Sequence, residues 1–320
     1  MLIASVAIVA GIALLVWSAD KFVDGASGIA RNFQVPSLVI GLTIVSLCTS
    51  LPEMLVALLA AIHGNNNLGI GNAIGSNIAN IGLVLGATAL IAPLAVQSKL
   101  LRREFPVLLV IMLLALILMW DGELSRLDGV VLVTGLVLLV YWLFRLGVSE
   151  RDELLEAEFA DVVPQDFDMA TSIKWLVIGL VVLLLSSRMV VWGAVQIATM
   201  LGVSDLVIGL TIVAVGTSLP ELVASITSVI KKEAELAIGN VIGSNMFNIL
   251  AVISMPALVS PGSFDKATLS RDMPVMFVFT TALFLMGYGI KGQGRINRIE
   301  GGLLFAGFIA YLYVLYLQSL

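Results

Sequence analysis

The sequence predicts an all-α membrane protein of ten transmembrane helices, arranged as two inverted five-helix repeats. Three observations predict it. The first is composition: of 320 residues, 59% are hydrophobic and 12% charged, with a mean hydropathy of +1.07. Soluble domains carry about 25% charged residues, so a soluble globular class is excluded. The second is the length of the apolar runs, which suit helices rather than the alternating ten-residue strands of a barrel. The third is an internal duplication. Shifted by 168 positions, "LVIGLTIVSLCTSLPE" (38–53) meets "LVIGLTIVAVGTSLPE" (206–221) with 13 of 16 residues identical. "LGIGNAIGSNIANI" (68–81) meets "LAIGNVIGSNMFNI" (236–249) with 10 of 14 identical. The same shift pairs Ser18 with Ser186, Pro93 with Pro261, Arg103 with Arg271 and Pro106 with Pro274.

Each half contains five apolar spans. In the first half they cover 2–32, 38–62, 68–92, 105–120 and 128–146. In the second they cover 173–201, 206–230, 236–259, 273–290 and 299–317. The N-terminal run lacks a basic start and a small-residue cleavage site, so it reads as a retained first span rather than a signal peptide. The chain divides into a first repeat (1–147), an acidic linker (148–172) and a second repeat (173–320). Because five is odd, the second half enters the membrane from the opposite side, the inverted-repeat plan of many secondary transporters.

The basic residues orient the chain. The side opposite the N-terminus receives Arg31, Lys99, Arg102, Arg103, Arg145, Arg151, Lys174, Lys231, Lys232, Lys291, Arg295 and Arg298. The N-terminal side receives Arg126, Lys266 and Arg271; Lys21 and Arg188 lie within spans and are left out. Twelve against three makes the first side cytoplasmic. Both termini are then expected outside the cytoplasm, and the linker inside. A compact chain without targeting extensions fits a prokaryotic plasma (inner) membrane.

The most informative stretch is "TSLPE", at 49–53 and again at 217–221. Pro52 has no N–H, so the carbonyl of Cys48 loses its helical partner, and Pro220 does the same to Gly216. In lipid such a carbonyl needs a replacement, and a cation is one. Thr49 and Glu53, like Thr217 and Glu221, are i and i+4 and share a helix face. Glu53 lies 15 residues into its span. A charge at that depth costs at least roughly 2.5–3.5 kcal/mol and marks an ion or substrate path. The next span places Ser76 and Asn80, and Ser244 and Asn248, at the same i, i+4 spacing; Asn80 and Asn248 each follow their glutamate by 27 residues. Gly71-x-x-x-Gly75 and Gly239-x-x-x-Gly243 offer small surfaces for close helix approach.

Brought together about a pseudo-two-fold axis, these groups form an all-oxygen set of carboxylates, the hydroxyls of Thr49, Ser50, Thr217 and Ser218, two serines and two amides. Zinc and copper, which favour cysteine and histidine, do not fit it. Ca²⁺ accepts six to eight oxygens flexibly, Na⁺ is close to it in size, and Mg²⁺ keeps its water. Two carboxylates about 4 Å apart repel by roughly 4 kcal/mol at an effective dielectric near 20. Without a cation one of them should hold a proton, so Ca²⁺ binding is expected to weaken as pH falls.

At these residues the sequence resembles the cation/calcium exchanger superfamily, and within it the sodium/calcium exchanger branch. The hallmark blocks "GTSLPE" and "GNxIGSNxxN" each recur, and the "GNATEL"-like block of the proton-coupled branch is missing. The resemblance implies a secondary antiporter of Ca²⁺ and Na⁺, with Glu53 and Glu221 as central ligands and Thr49 and Thr217 at the Ca²⁺ site. By the same resemblance Ser50, Ser76, Asn80, Ser218, Ser244 and Asn248, with the backbone at Ser46 and Ala214, complete the cation sites. The long first helix of each half is implied to slide across this core. Two departures stand out. Some members have aspartate where Asn248 stands, so three bound Na⁺ would here leave a net positive core, and these residues leave the family's three-sodium stoichiometry an open question. Cys48 replaces the motif's usual glycine.

Other readings keep the fold and change the ions: H⁺ or K⁺ coupling, or another divalent such as Mn²⁺. A channel is disfavoured by the inverted duplication. An enzyme is disfavoured because no nucleophile–base pair is present and the single histidine, His63, falls on an outer loop. Asp20, Lys21 and Asp24 read as a locally satisfied cluster rather than a cation access path, since Arg188, Met189 and Trp192 replace them in the second repeat. Arg103/Glu104 and Arg271/Asp272 read as helix-end anchors, and Cys48 as a small buried residue. The linker has no calcium-loop pattern. The expected partners are the two ions and membrane lipid, with no nucleic acid and no cofactor, and one chain working as a monomer.

Overall fold

The computed structural model describes residues 1–96, 98–154, 168–202, 214–288 and 294–319. Three expectations fall outside them: the start of the seventh span (206–213), most of the linker, and the loop carrying Lys291. The side chains of Lys99, Arg102 and Arg151 are likewise outside the description.

The chain begins with α1 (Leu2–Phe33), followed by α2 (Ser37–Thr49) and α3 (Leu51–Ile62), which meet at a 41° bend. Then come α4 (Asn66–Ile91), β1 (Leu94–Val96), α5 (Ser98–Leu118), β2 (Glu123–Leu124) and α6 (Arg126–Leu154). The second half holds α7 (Met169–Met200), α8 (Ala214–Thr217), α9 (Leu219–Ile230) and α10 (Ala234–Val259). It ends with β3 (Gly262–Ser263), α11 (Thr268–Gly287), β4 (Gly294–Ile296) and α12 (Arg298–Ser319). Among the described residues seven helices are long and apolar enough to cross a membrane, or eight with the bent α2–α3 pair as one span.

Two predicted features are corrected. The protein is not strictly all-α: β1 pairs antiparallel with β4, and β2 with β3, in two short ribbons. The span predicted at 105–120 is a helix from Ser98, with Pro106 inside it. Hydropathy falls before 105, but a helix needs only its backbone ladder, and Arg103 satisfies its polar neighbour by donating to Glu104 Oε1 at 2.8 and 2.7 Å. The pair is therefore intrahelical rather than an end anchor. Arg271–Asp272 occupies the π-helical turn that opens α11, where Tyr311 also donates to Asp272 at 2.9 Å.

Packing follows residue size. α1 and α7 run antiparallel in close contact because Gly25 faces Leu176, Gly179 faces Phe22, and Gly193 faces Ala4. Asp168 starts α7 by accepting from the Thr171 N–H at 3.0 Å, and its hydrogen bonds to Thr171 hold its carboxyl below the usual range. α4 and α10 are the most buried of the membrane-length helices, while α1, α6, α7 and α12 present Leu, Val, Ile and aromatic side chains outward, as lipid contact requires. Asp20 and Asp24 pair with Lys21, as the local-cluster reading expected, and also with Lys231 at the end of α9, which that reading did not include. His63 is exposed. Cys48 is only partly buried, not buried as expected.

Candidate functional site

The two TSLPE segments fold alike. Each helix breaks at its serine, Ser50 (φ −80°, ψ 1°) and Ser218 (φ −89°, ψ 7°), and restarts with proline in the first turn. The break positions Glu53 and Glu221 in the first turn of α3 and α9, where helix N-termini favour negative charge. Opposite them, α4 and α10 widen into π-helical turns beginning at Asn80 and Asn248. Such widenings recur at functional sites because they re-aim a side chain.

The structure buries Ser46, Thr49, Ser50, Glu53, Ser76, Asn80, Ser218, Glu221, Ser244 and Asn248. Thr217 is partly buried, and the side chain of Ala214 is outside the description. Both halves contribute to the same contacts. Thr49 Oγ1 on α2 donates to Asn240 Oδ1 on α10 at 3.0 Å and lies 3.4 Å from Ser244 Oγ. Asn80 Nδ2 on α4 donates to Asn245 Oδ1 at 3.0 Å, and Asn77 Nδ2 to the Asn245 carbonyl at 3.3 Å. Glu53 and Glu221 are near enough to repel one another.

Among the described residues the four carboxylate oxygens, both polar atoms of Asn248, Asn80 Oδ1 and the hydroxyls of Ser50 and Ser218 are buried without a hydrogen bond of ordinary geometry. Buried polar groups are otherwise almost always partnered. A cluster of orphaned oxygens drawn from both repeats can hold a hard cation, which supplies what hydrogen bonds do not. A cavity of about 270 Å³ is lined by Asn72, Ser76 and Thr217 together with Arg271 and Tyr311.

Four residues were missed by sequence reasoning: Asn240, Asn245, Ser225 and Ser187. Asn240 and Asn245 have a visible signal, since both recur at the 168 shift as Asn72 and Asn77. Ser187 has none. Its hydroxyl on α7 donates to the Gly216 carbonyl at 3.2 Å, so the carbonyl freed by Pro220 is met by a side chain and not left for a cation. The first repeat has Ala19 at the equivalent position. Ser187→Ala is expected to cost about 1–3 kcal/mol, the penalty of an orphaned buried acceptor, read as a lowered thermal midpoint of the purified protein.

Comparison with known proteins fits this site. The family profile described as "Sodium/calcium exchanger protein" matches residues 3–145 and 171–317. The chain belongs to the sodium/calcium exchanger family. This exchanger-family protein is 47% identical to the putative antiporter CaxA of Alkalimonas amylolytica, over 99% of both chains. It is 31% identical to the sodium/calcium exchanger MaX1 of Methanosarcina acetivorans, over 96% of each. A solved structure of the sodium-calcium exchanger NCX_Mj, soaked with zero Na⁺ and Ca²⁺, matches with TM-score 0.83 at 33% identity, over 98% of this chain and 99% of that one. The exchanger-family chain is thus a transmembrane cation antiporter, and transport rather than bond chemistry is what its site must explain.

Proposed function

We propose that this protein is a secondary antiporter that exchanges Ca²⁺ for Na⁺ by alternating access at one site built from both repeats. The observation that carries the reading is the pair of buried glutamates, one from each repeat, whose four oxygens lack hydrogen bonds among the described residues. Glu53 and Glu221 are the central ligands in this reading. Thr49, Thr217, Ser50, Ser218, Ser76, Asn80, Ser244 and Asn248 and the backbone of Ser46 and Ala214 surround them. The similarity to the sodium/calcium exchangers MaX1 and NCX_Mj supports the choice of ions.

Ten crossings in two inverted repeats, 1–147 and 173–320 joined by 148–172, are part of the proposal. The ribbons support them: the ten-span path puts β1 and β4 on one face of the membrane and β2 and β3 on the other, and those are the pairs that form. The face holding β1 and β4 is the basic one, which makes it cytoplasmic and both termini external in a plasma membrane.

The test is ⁴⁵Ca²⁺ uptake into Na⁺-loaded proteoliposomes against K⁺-loaded controls. Uptake only with the Na⁺ gradient is expected. Uptake driven by a proton gradient and indifferent to Na⁺ would replace the coupling ion. Protons compete with Ca²⁺ for the same oxygens, so apparent Ca²⁺ affinity is expected to fall as pH is lowered from 8 to 5; an unchanged affinity would refute that competition.

A further inference from the structure

We infer that Asn240 is a positioning residue that governs where the Thr49 hydroxyl proton goes, and so leaves the neighbouring oxygens open to Ca²⁺. The inference rests on the proposed function above. A hydroxyl has one proton and two lone pairs. Three acceptors compete for the Thr49 proton: Asn240 Oδ1 at 3.0 Å, the Ser46 carbonyl at 3.4 Å, and Ser244 Oγ at 3.4 Å. Two of the three belong to the proposed ligand set. A proton donated to either occupies an oxygen that a cation needs, and a hydroxyl hydrogen aimed at the cation is repelled by it. Asn240, on α10, is not part of that set and takes the proton out of it, so that Thr49 presents lone pairs instead.

Asn240 is itself oriented. Its Nδ2 donates to Ser225 Oγ on α9 at 3.1 Å, which turns Oδ1 toward Thr49. Asn240 and Ser225 are fully enclosed, so water does not replace either contact. Asn80 is anchored through its amide nitrogen as well, by Asn245 Oδ1, but its oxygen has no hydrogen-bond partner among the described residues. The device is not mirrored in the first repeat: Ala57 stands where Ser225 does, and Asn72 donates to the Glu53 carbonyl at 3.4 Å.

The test is a double-mutant cycle on Na⁺-driven ⁴⁵Ca²⁺ uptake in proteoliposomes, with KM for Ca²⁺ and maximal rate measured separately. Asn240→Ala is expected to raise KM about tenfold, the worth of one buried hydrogen bond to a ligand, with maximal rate within about twofold of wild type. In a Thr49→Val background the same change is expected to leave KM unaltered, because no proton remains to be placed. Ser225→Ala, a single-atom deletion that preserves packing, should give a smaller KM rise that also vanishes in Thr49→Val. Equal effects of Asn240→Ala and Ser225→Ala in both backgrounds, or no KM change in wild type, would overturn the inference while leaving the exchange reading intact. Absence of Na⁺-driven uptake by the wild type would instead remove the reading beneath it.

Discussion

Glu53→Gln is expected to abolish Na⁺-driven Ca²⁺ uptake and, at the same time, to make the ion-free protein more resistant to heat. The two effects share one cause. The carboxylate oxygens of Glu53 and Glu221 are buried without hydrogen bonds among the described residues, and the two groups repel one another. A buried charge without a partner carries a desolvation penalty of several kcal/mol. In the ion-free protein the pair either keeps two buried charges or takes up a proton at a cost, and a neutral amide of the same shape removes that cost and the repulsion together. Ca²⁺ reverses the balance, because the ion supplies the missing partner. Removing one member of a buried charge pair costs about 3–5 kcal/mol, which at about 1.4 kcal/mol per decade is on the order of 10²–10³ in affinity. Thermal unfolding with and without Ca²⁺ separates the parts: wild type should be stabilised by the ion, while Glu53→Gln should start higher and respond little. Glu221→Gln should behave the same way, since the second repeat supplies the equivalent group. Wild-type uptake persisting in either variant would refute the central role of the pair.

How much of this site the sequence discloses depends on the range of the interaction. The i, i+4 pairing of Thr49 with Glu53 and the break beside Pro52 are local, and local spacing reads them directly. The duplication adds long-range information, because a polar residue repeated at the same place in two apolar spans has to be satisfied twice. That is how Ser76, Asn80, Ser244 and Asn248 become visible. The contacts of Thr49 with Asn240 and of Asn80 with Asn245 bring together residues from different repeats, and no periodicity encodes them. Asn240 carried the repeat signal, but only tertiary structure distinguishes an oxygen facing the ion from one facing the oxygen beside it. The ribbons escaped notice for a related reason: three-residue strands such as Leu94–Val96 have no room for an alternating pattern. Ser187 is invisible for the simplest reason, since a single serine in an apolar helix ordinarily satisfies itself against the preceding turn, as Ser186 does with Leu183.

The repeat also makes one prediction that neither half could make alone. Gly71 and Gly239 occupy equivalent places in the same motif, and sequence assigns both to close helix contact. The structure separates them. A Cβ at Gly239 would lie 2.6 Å from the Leu38 carbonyl oxygen, 3.0 Å from the Leu42 nitrogen and 3.1 Å from the Gly41 Cα, all backbone atoms of α2. A Cβ at Gly71 meets nothing within 4 Å among the described residues, and Gly71 lines the cavity. Gly239→Ala must therefore push α2 away from α10, since backbone atoms have no rotamer with which to yield. Overpacking of this kind costs about 1–3 kcal/mol. The functional cost is larger, because the displaced helix carries Thr49 and leads through the bend to Glu53. A shift on the order of 1 Å in a positioned group can lower a rate by about 10²-fold. Gly239→Ala is expected to lower the thermal midpoint and to reduce uptake by about that factor, while Gly71→Ala keeps wild-type stability. Equal sensitivity of the two glycines would show that the motif is used in the same way in both halves; unequal sensitivity in the stated direction would mean that the α2–α10 contact, which joins one repeat to the other, is what holds the ligands in register.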